Sequence, residues 1–465
     1  MEFSWTDLEV RRALGLRTDL GQEDVAYSEI STDSRTLQPG ALYVALVGDR
    51  FDGHDYVADA VAGGAAGVVV TRLVPGAREV TVYPVQDTLV ALGALASHRR
   101  QQLECPVVAL TGSTGKTTTK DFLAAALGGV LRTHATRGNR NNRVGVPLTL
   151  LEVSDDAEAV VLELGTNEPG EIRTLTDIVR PDVAVITNVG ESHLERLGSV
   201  AGVMEEKLDL LRGLPDGARA VVGDEPPELA PAARAVRADV KVAGWSDRAD
   251  EDARPDGVET DTFGHHRFRW HGAPVAMPLP GRHAVSNAVL ALTVAELLGV
   301  SAEAAARGLQ AARTGDMRGQ VRTIGGLTVI VDCYNANPPS VRAALGLLEA
   351  YQASSRKVAV LGTMLELGDA TSRLHDEVLD SALARKIDLV VATGGFAEAA
   401  RRRGGALGDR VIVGTDWRES YPALRDRLAG DEVMLLKASR GIALEGMLPM
   451  LEADFADHAE QEGGA

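Results

Sequence analysis

The stretch Val107–Lys120, VVALTGSTGKTTTK, constrains this chain more than any other. Val107–Leu110 is a short apolar run between Pro106 and Gly112, and it reads as a buried strand. Thr111-Gly112-Ser113-Thr114-Gly115-Lys116-Thr117-Thr118 follows, and then a helical pattern, Lys120–Leu131. Strand, glycine-rich loop, helix is the context that a phosphate-binding loop requires. The glycines let backbone N–H groups of Gly112, Ser113, Thr114, Gly115 and Thr118 close round phosphate oxygens, and the helix start adds its positive dipole end. Lys116 supplies a point charge, and the Thr117 hydroxyl can reach Mg²⁺. The spacing is the shorter T-G-x-x-G-K-T. Leu110 stands where the longer loop pattern has its first glycine.

A chain of 465 residues is long for one core, and about three domains is the expectation. The balance of 48 basic and 66 acidic residues gives −18, which argues against nucleic acid as the main partner. The N-terminus, MEFSWTDLEVRRALG, has no apolar signal core, and no run approaches the roughly 18 apolar residues of a membrane span. Cys105 and Cys333 lack metal spacing and suggest a reducing compartment. The expectation is a cytoplasmic monomer. The sequence has 41 Arg and only 7 Lys, so a Lys at a chemically plausible place points to its amine, which Arg cannot replace.

Residues 1–103 read as a small α/β unit. It holds Ser31-Thr32-Asp33-Ser34-Arg35, the strand Leu42–Leu46, a polar loop from Gly48 to His54, the helix Tyr56–Ala62 and the strand Gly67–Thr71. Asp33, Ser34 and Arg35 suit an ordinary turn with an ion pair as well as they suit a ligand. His54 alone reads as a solvated loop histidine. Residues 104–315 read as a second unit. After the phosphate loop comes the amide-rich Thr136–Asn142, with Asn141 and Asn142, and then strands ending at Glu163 and Thr187. Ligands sit at the carboxyl ends of strands in an open parallel sheet, and Lys116, Glu163 and His193 all fall at or just beyond such ends. Together they favour a divalent-cation site beside a triphosphate, although hard Mg²⁺ prefers oxygen to the His193 nitrogen. Residues 316–465 alternate strands and helices and read as another mostly parallel sheet, with no G-x-G-x-x-G after the first strand. Its first strand leads into Asp332-Cys333-Tyr334-Asn335-Ala336-Asn337. The tail from about Asp454 is polar and reads as frayed.

Taken in order, STDSR, TGSTGKTTTK, GNRNNRVGVPLTLL, ELGTNEPGEI, TNVGESHLERLGS, EEKLDLL, LPGRHAVSNAVLA, VDCYNANPPSVRAAL, LGTMLELGDATSRLH and LLKASRG resemble the Mur ligases over nearly the whole chain. YNANP followed by MLELG resembles the branch that joins D-alanyl-D-alanine to UDP-N-acetylmuramoyl-tripeptide. The resemblance implies an N-terminal domain for the UDP substrate, a central P-loop domain and a C-terminal Rossmann-like domain that binds the dipeptide. It implies ATP and Mg²⁺, an acyl-phosphate intermediate and a place in peptidoglycan precursor synthesis. It puts Mg²⁺ on Thr117 and Glu163, a second ion on His193, and a carbamylated lysine at Lys207. Asn287 would lie near adenine, and Arg318 near the phosphates when the domains close. Asp332, Tyr334, Asn335 and Asn337 would complete the ATP and dipeptide side. Ser34, Arg35, Asn141, Asn142 and Thr166 would hold the nucleotide-peptide.

Four positions depart from that pattern: Val331, Cys333, Thr363 and Ala438. Thr363 matters most, because it removes a carboxylate from a loop expected near the dipeptide. A sibling ligase acting on folate or on another nucleotide-peptide is the alternative within the family. A nucleotide-binding scaffold or transport ATPase is the alternative outside it. The first is disfavoured by YNANP, the second by Glu163, His193 and Lys207 beside a phosphate loop.

Overall fold

The computed structural model describes residues 4–21, 25–48, 50–313, 315–351 and 355–456. Asp49 of the loop read at 48–54, and most of the tail read as frayed, lie outside them.

The middle of the chain forms a six-stranded parallel sheet. Its order is Lys241–Ala243, Arg219–Gly223, Val183–Ile186, Val107–Thr111, Ala159–Glu163, Thr133–Ala135. Every residue of Val107–Thr111, Ala159–Glu163 and Val183–Ile186 is buried, which is why these strands read as unbroken apolar runs. Helices Lys116–Gly128 and Arg282–Leu297 pack on one face, and Thr88–Gln102, Glu171–Val179 and Val200–Arg212 cover the other. The loop helix spans Lys116–Gly128 and not Lys120–Leu131: Lys116–Thr119 form its first turn, and it ends at the Gly128-Gly129 pair. A three-stranded antiparallel sheet, Asp256–Thr260, His266–Trp270 and Ala273–Ala276, is appended, with a turn at Gly272 between its last two strands.

The N-terminal segment builds a four-stranded parallel sheet, Ile30–Ser31, Leu42–Val44, Gly67–Val70, Thr81–Pro84. His54 corrects the sequence reading: it is 2% exposed, its Nδ1 lies 2.6 Å from Asp52 Oδ1, and its Nε2 accepts the Thr71 N–H at 2.9 Å. It ties the 52–54 loop to the end of the third strand and is a structural residue.

The C-terminal segment forms a six-stranded sheet, Gln320–Ile324, Leu327–Asp332, Val433–Lys437, Lys357–Leu361, Leu389–Thr393, Val411–Gly414, antiparallel only at its first edge. One buried apolar cluster runs from Leu162, Leu175 and Leu194 of the central unit to Leu345, Leu367 and Leu374 of the C-terminal one. The two units are therefore docked, with the carboxyl ends of the Val107–Thr111 and Leu327–Asp332 strands facing one cleft. No helix among the described residues is long and apolar enough to cross a membrane.

Candidate active site

The phosphate loop is held open by its neighbours before any ligand arrives. Gly115 has φ +75°, and a Cβ there would fall 2.4 Å from Asn287 Oδ1, so only glycine fits between the loop and that amide. A Cβ on Gly112 would fall 1.8 Å from Thr187 Oγ1. Asn188 Oδ1 accepts the Thr114 N–H at 3.0 Å, Asn188 Nδ2 donates to Thr114 Oγ1 at 2.8 Å, and Thr187 Oγ1 donates to Thr114 O at 2.6 Å. Thr187 and Asn188 were not singled out from the sequence as loop supports. Their place at the end of the neighbouring strand was the available signal. Lys116 Nζ donates to Gly112 O at 2.7 Å, curled over the loop where outer phosphates would lie.

Glu163 ends the adjacent strand and is 2% exposed. Its Oε2 accepts from Thr117 Oγ1 and its Oε1 from Asn141 Nδ2, both at 2.8 Å. Its backbone N–H is held by Thr136 Oγ1 at 3.0 Å. A buried carboxylate joined to the first-turn hydroxyl is the donor set that Mg²⁺ needs, because this ion keeps several waters and binds through one or two carboxylates plus phosphates. Among the described residues no group of three or more His, Cys, Asp or Glu is arranged to hold a metal. The oxygen pair Thr117–Glu163 fits a phosphate-borne cation and not a dedicated cage.

Lys207 lies in the helix Val200–Arg212, 1% exposed, with no hydrogen-bond or ion-pair partner among the described residues. Burial pushes its amine well below the usual lysine range, and Lys116 nearby adds to the shift. Its neighbour Glu206 offers little relief. Glu206 accepts from Thr166 Oγ1 at 3.1 Å, from Gly170 N at 2.6 Å and from Ile172 N at 2.9 Å, holding the 166–172 turn. A buried, unpartnered lysine held toward its neutral form suits carbamylation, which needs a free amine. His193 takes φ 51°, and its Nδ1 lies 2.7 Å from Glu366 Oε2 of the C-terminal unit.

The phosphate loop, Glu163 and His193 border a cavity of about 600 Å³. Ser113, Thr114, Gly115, Lys116, Thr117, Thr118, Asn141, Asn142, Glu163, Thr166, His193 and Asn287 line it from the central unit, and Arg318, Asp332, Tyr334, Asn335 and Asn337 line it from beyond residue 315. Arg318 stacks over the Tyr334 ring, 3.8 Å from its centroid. Asp332 pairs with buried Lys437 at 2.8 Å, and Lys437 Nζ also donates to Asn335 O at 2.6 Å. Lys437 escaped the sequence reading as a site residue, although it is one of only seven lysines and stands at a strand end. Asn337 caps the helix Pro338–Ala350, and its Nδ2 donates to Ser113 O of the phosphate loop at 3.4 Å.

Some expected residues lie elsewhere. Lys207 is buried and does not line the cavity. Ser34 and Arg35 are on the N-terminal unit, outside the cavity, and Arg35 pairs with Asp33 at 2.6 Å in the turn that the sequence allowed. Thr363 also lies outside it. Its Oγ1 accepts the Gly395 N–H at 3.0 Å, satisfying a free donor at the start of the helix Gly395–Arg403, so that departure falls on a helix start. Cys333 is fully buried, and that burial pushes its thiol up to about 12, away from the reactive thiolate form.

Three family models match the chain in sequence order: a Mur ligase family catalytic domain over residues 26–100, a Mur ligase middle domain over 110–295, and a Mur ligase glutamate ligase domain over 317–440. The UDP-N-acetylmuramoyl-tripeptide--D-alanyl-D-alanine ligase of Bacillus subtilis is 38% identical, across 91% of this chain and 93% of that protein. The chain belongs to the Mur ligase family. Among solved Mur ligases, MurF from Acinetobacter baumannii superposes with a TM-score of 0.89 at 33% identity, covering 97% of this chain and 99% of that one. MurF ligase from Thermotoga maritima, solved in complex with ADP, superposes with a TM-score of 0.82 at 27% identity, covering 93% and 99%.

Proposed function

We propose that this Mur ligase joins D-alanyl-D-alanine to UDP-N-acetylmuramoyl-tripeptide at the expense of ATP, a step of peptidoglycan precursor synthesis. The observation that carries the reading is the shared cavity: the phosphate loop and Glu163 of one unit and residues 332–337 of another border the same space. Kinship with the Bacillus subtilis ligase over nine-tenths of the chain supports the substrate pair.

The reaction has two steps. The terminal carboxylate of the tripeptide attacks the γ-phosphoryl group, a P–O bond forms, and ADP leaves with the electron pair of the broken bond. The dipeptide amine then adds to the acyl carbon, and the tetrahedral adduct expels phosphate while the amine gives up a proton. Both steps gather negative charge, so the work is positioning and charge clamping. Backbone N–H groups of Ser113–Thr118 hold the phosphates, and Lys116 swings from Gly112 O to the outer phosphates. Thr117 and Glu163 would hold Mg²⁺, which neutralises phosphate charge. His193 and carbamylated Lys207 would hold a second ion on the acyl side. Arg318, Asp332 and Asn335 face the nucleotide, with Asn287 toward the base. Asn141, Asn142, Thr166, Tyr334 and Asn337 border the peptide side, and Ser34 and Arg35 serve the uridine end. The protein works as a cytoplasmic monomer, where ATP and nucleotide-linked peptides are available.

The test is phosphate release from ATP and Mg²⁺ with the UDP-linked tripeptide, with and without D-alanyl-D-alanine, against a folate-plus-glutamate control. Release that needs both peptide substrates, with a UDP-pentapeptide by mass, is expected. Release with folate and glutamate moves the chain to a sibling activity, and release that ignores every acceptor overturns the ligase reading.

A further inference from the structure

The segment Met364–Gly368 has no part in the chemistry above, yet it touches the central unit. Within its own unit it is anchored by two backbone donors, Met364 N to His375 Nε2 and Leu365 N to Ser439 Oγ, each at 3.0 Å. On its other side Glu195 N donates to Glu366 O at 3.2 Å, and a Cβ on Gly368 would fall 2.9 Å from Glu195 Cα. Glu366 and His193 both take left-handed backbone conformations, φ 63° and 51°. Side chains resist that conformation, and such residues gather where geometry serves function. Here the two left-handed residues face each other across the seam, and their side chains meet at 2.7 Å.

We propose that Glu366 is a positioning residue for the cation-binding side of the active site. By accepting the Nδ1–H of His193 it fixes the tautomer that leaves the lone pair on Nε2, the nitrogen then free for a divalent cation. A carboxylate on the second ring nitrogen orients an imidazole ligand and raises its basicity. The supporting carboxylate comes from a different unit than the histidine, so the histidine is set only while the C-terminal unit is docked. Cation binding and docking of the acceptor-binding unit are thereby linked. A simple surface ion pair explains the contact less well. The Glu366 side chain is 56% exposed, and such pairs contribute little to docking, so they do not account for two left-handed residues at one contact. The coupling to the acceptor rests on the ligase reading, whereas the His193–Glu366 pairing does not.

The experiment uses the full chain loaded with ADP and titrated with Mn²⁺ by electron paramagnetic resonance, alongside ¹⁵N resonances of the histidine rings. In Glu366→Ala, which removes the acceptor facing His193 Nδ1, the Mn²⁺ affinity is expected to fall roughly 10- to 100-fold. The His193 ring signals should also lose the pattern of a single Nδ1–H tautomer. Glu366→Asp, which keeps the charge and tolerates a left-handed backbone, restores part of both. Wild-type affinity and ring signals in Glu366→Ala overturn the proposal. A loss of affinity with unchanged ring signals and no rescue by Asp overturns it too, because the carboxylate then acts on docking alone. Neither readout needs an acceptor, so failure of the ligase reading is seen separately, in the products formed by the wild-type protein.

Discussion

Thr117 Oγ1 donates to Glu163 Oε2 across 2.8 Å, joining the first turn of the phosphate-loop helix to the end of the strand adjacent to Val107–Thr111. Parallel pairing of Leu110 with Glu163 sets this meeting, since it ends the Ala159–Glu163 strand level with the last residues before the loop. Glu163→Gln keeps the shape and one acceptor oxygen but removes the charge that a cation requires. Turnover is expected to fall by about 10²-fold or more, the scale of losing one electrostatic stabiliser. Steady-state phosphate release measures it, and a fall below about threefold would exclude a cation at this carboxylate.

Lys207 is buried with no hydrogen-bond or ion-pair partner among the described residues, a costly arrangement for an ammonium. As a carbamate it would carry negative charge toward the cations. Protein stripped of carbon dioxide should lose activity and regain it with bicarbonate, and ¹³C-labelled bicarbonate should give one carbamate resonance that Lys207→Arg lacks. Lys207→Arg should ligate at least about 10²-fold more slowly, in line with loss of an electrostatic stabiliser. Wild-type rates in that variant would remove the carbamate from the mechanism.

Much of the site was legible because it follows strand ends. Lys116, Glu163 and His193 announced themselves as polar groups closing apolar runs, and the cavity includes all three. Other features lacked a local signature. The strands Arg219–Gly223 and Lys241–Ala243 were passed over, each short and preceded by charged, proline-broken or alanine-rich sequence. His54 looked solvated because nothing near it in sequence shows that Thr71, seventeen residues on, donates to its ring. Glu366 reads as one more loop carboxylate, and its partner His193 comes from another unit, a pairing that only tertiary packing creates.

Asp52 gives a pH-dependent prediction in the N-terminal unit. The His54 N–H and the Arg72 guanidinium hold its carboxyl at about 2. A depressed folded-state value stabilises above the unfolded value near 4, and that gain is lost as pH falls from there toward about 2. With one-third of the side chain exposed, screening limits the gain to on the order of 1 kcal/mol. Asp52→Asn should therefore lower stability in denaturant melts at pH 6, and the gap from wild type should shrink through pH 4 to 2. A gap that is constant with pH would mean the charge is unimportant and only the hydrogen bonds count.

Asn337 does two jobs with one amide, and they can be separated. Its Oδ1 accepts the Ser340 N–H at 3.0 Å, closing a capping box on Pro338–Ala350, while Nδ2 donates to Ser113 O across the cleft. Asn337→Ala loses both and should cost about 1 kcal/mol of stability through the cap. For units of this size that lowers the melting temperature by roughly 2–4 °C. Asn337→Asp keeps an oxygen cap at a helix N-terminus, where negative charge is favourable, but has no donor for the phosphate loop. It should melt like wild type while KM for ATP rises several-fold, because the loop loses its link to the docked C-terminal unit and a carboxylate now faces the phosphates. Thermal melts and ATP saturation curves on the two variants separate the roles. If Asn337→Asp matches wild type in both, the cross-unit hydrogen bond has no bearing on nucleotide binding, and Asn337 is a helix cap alone.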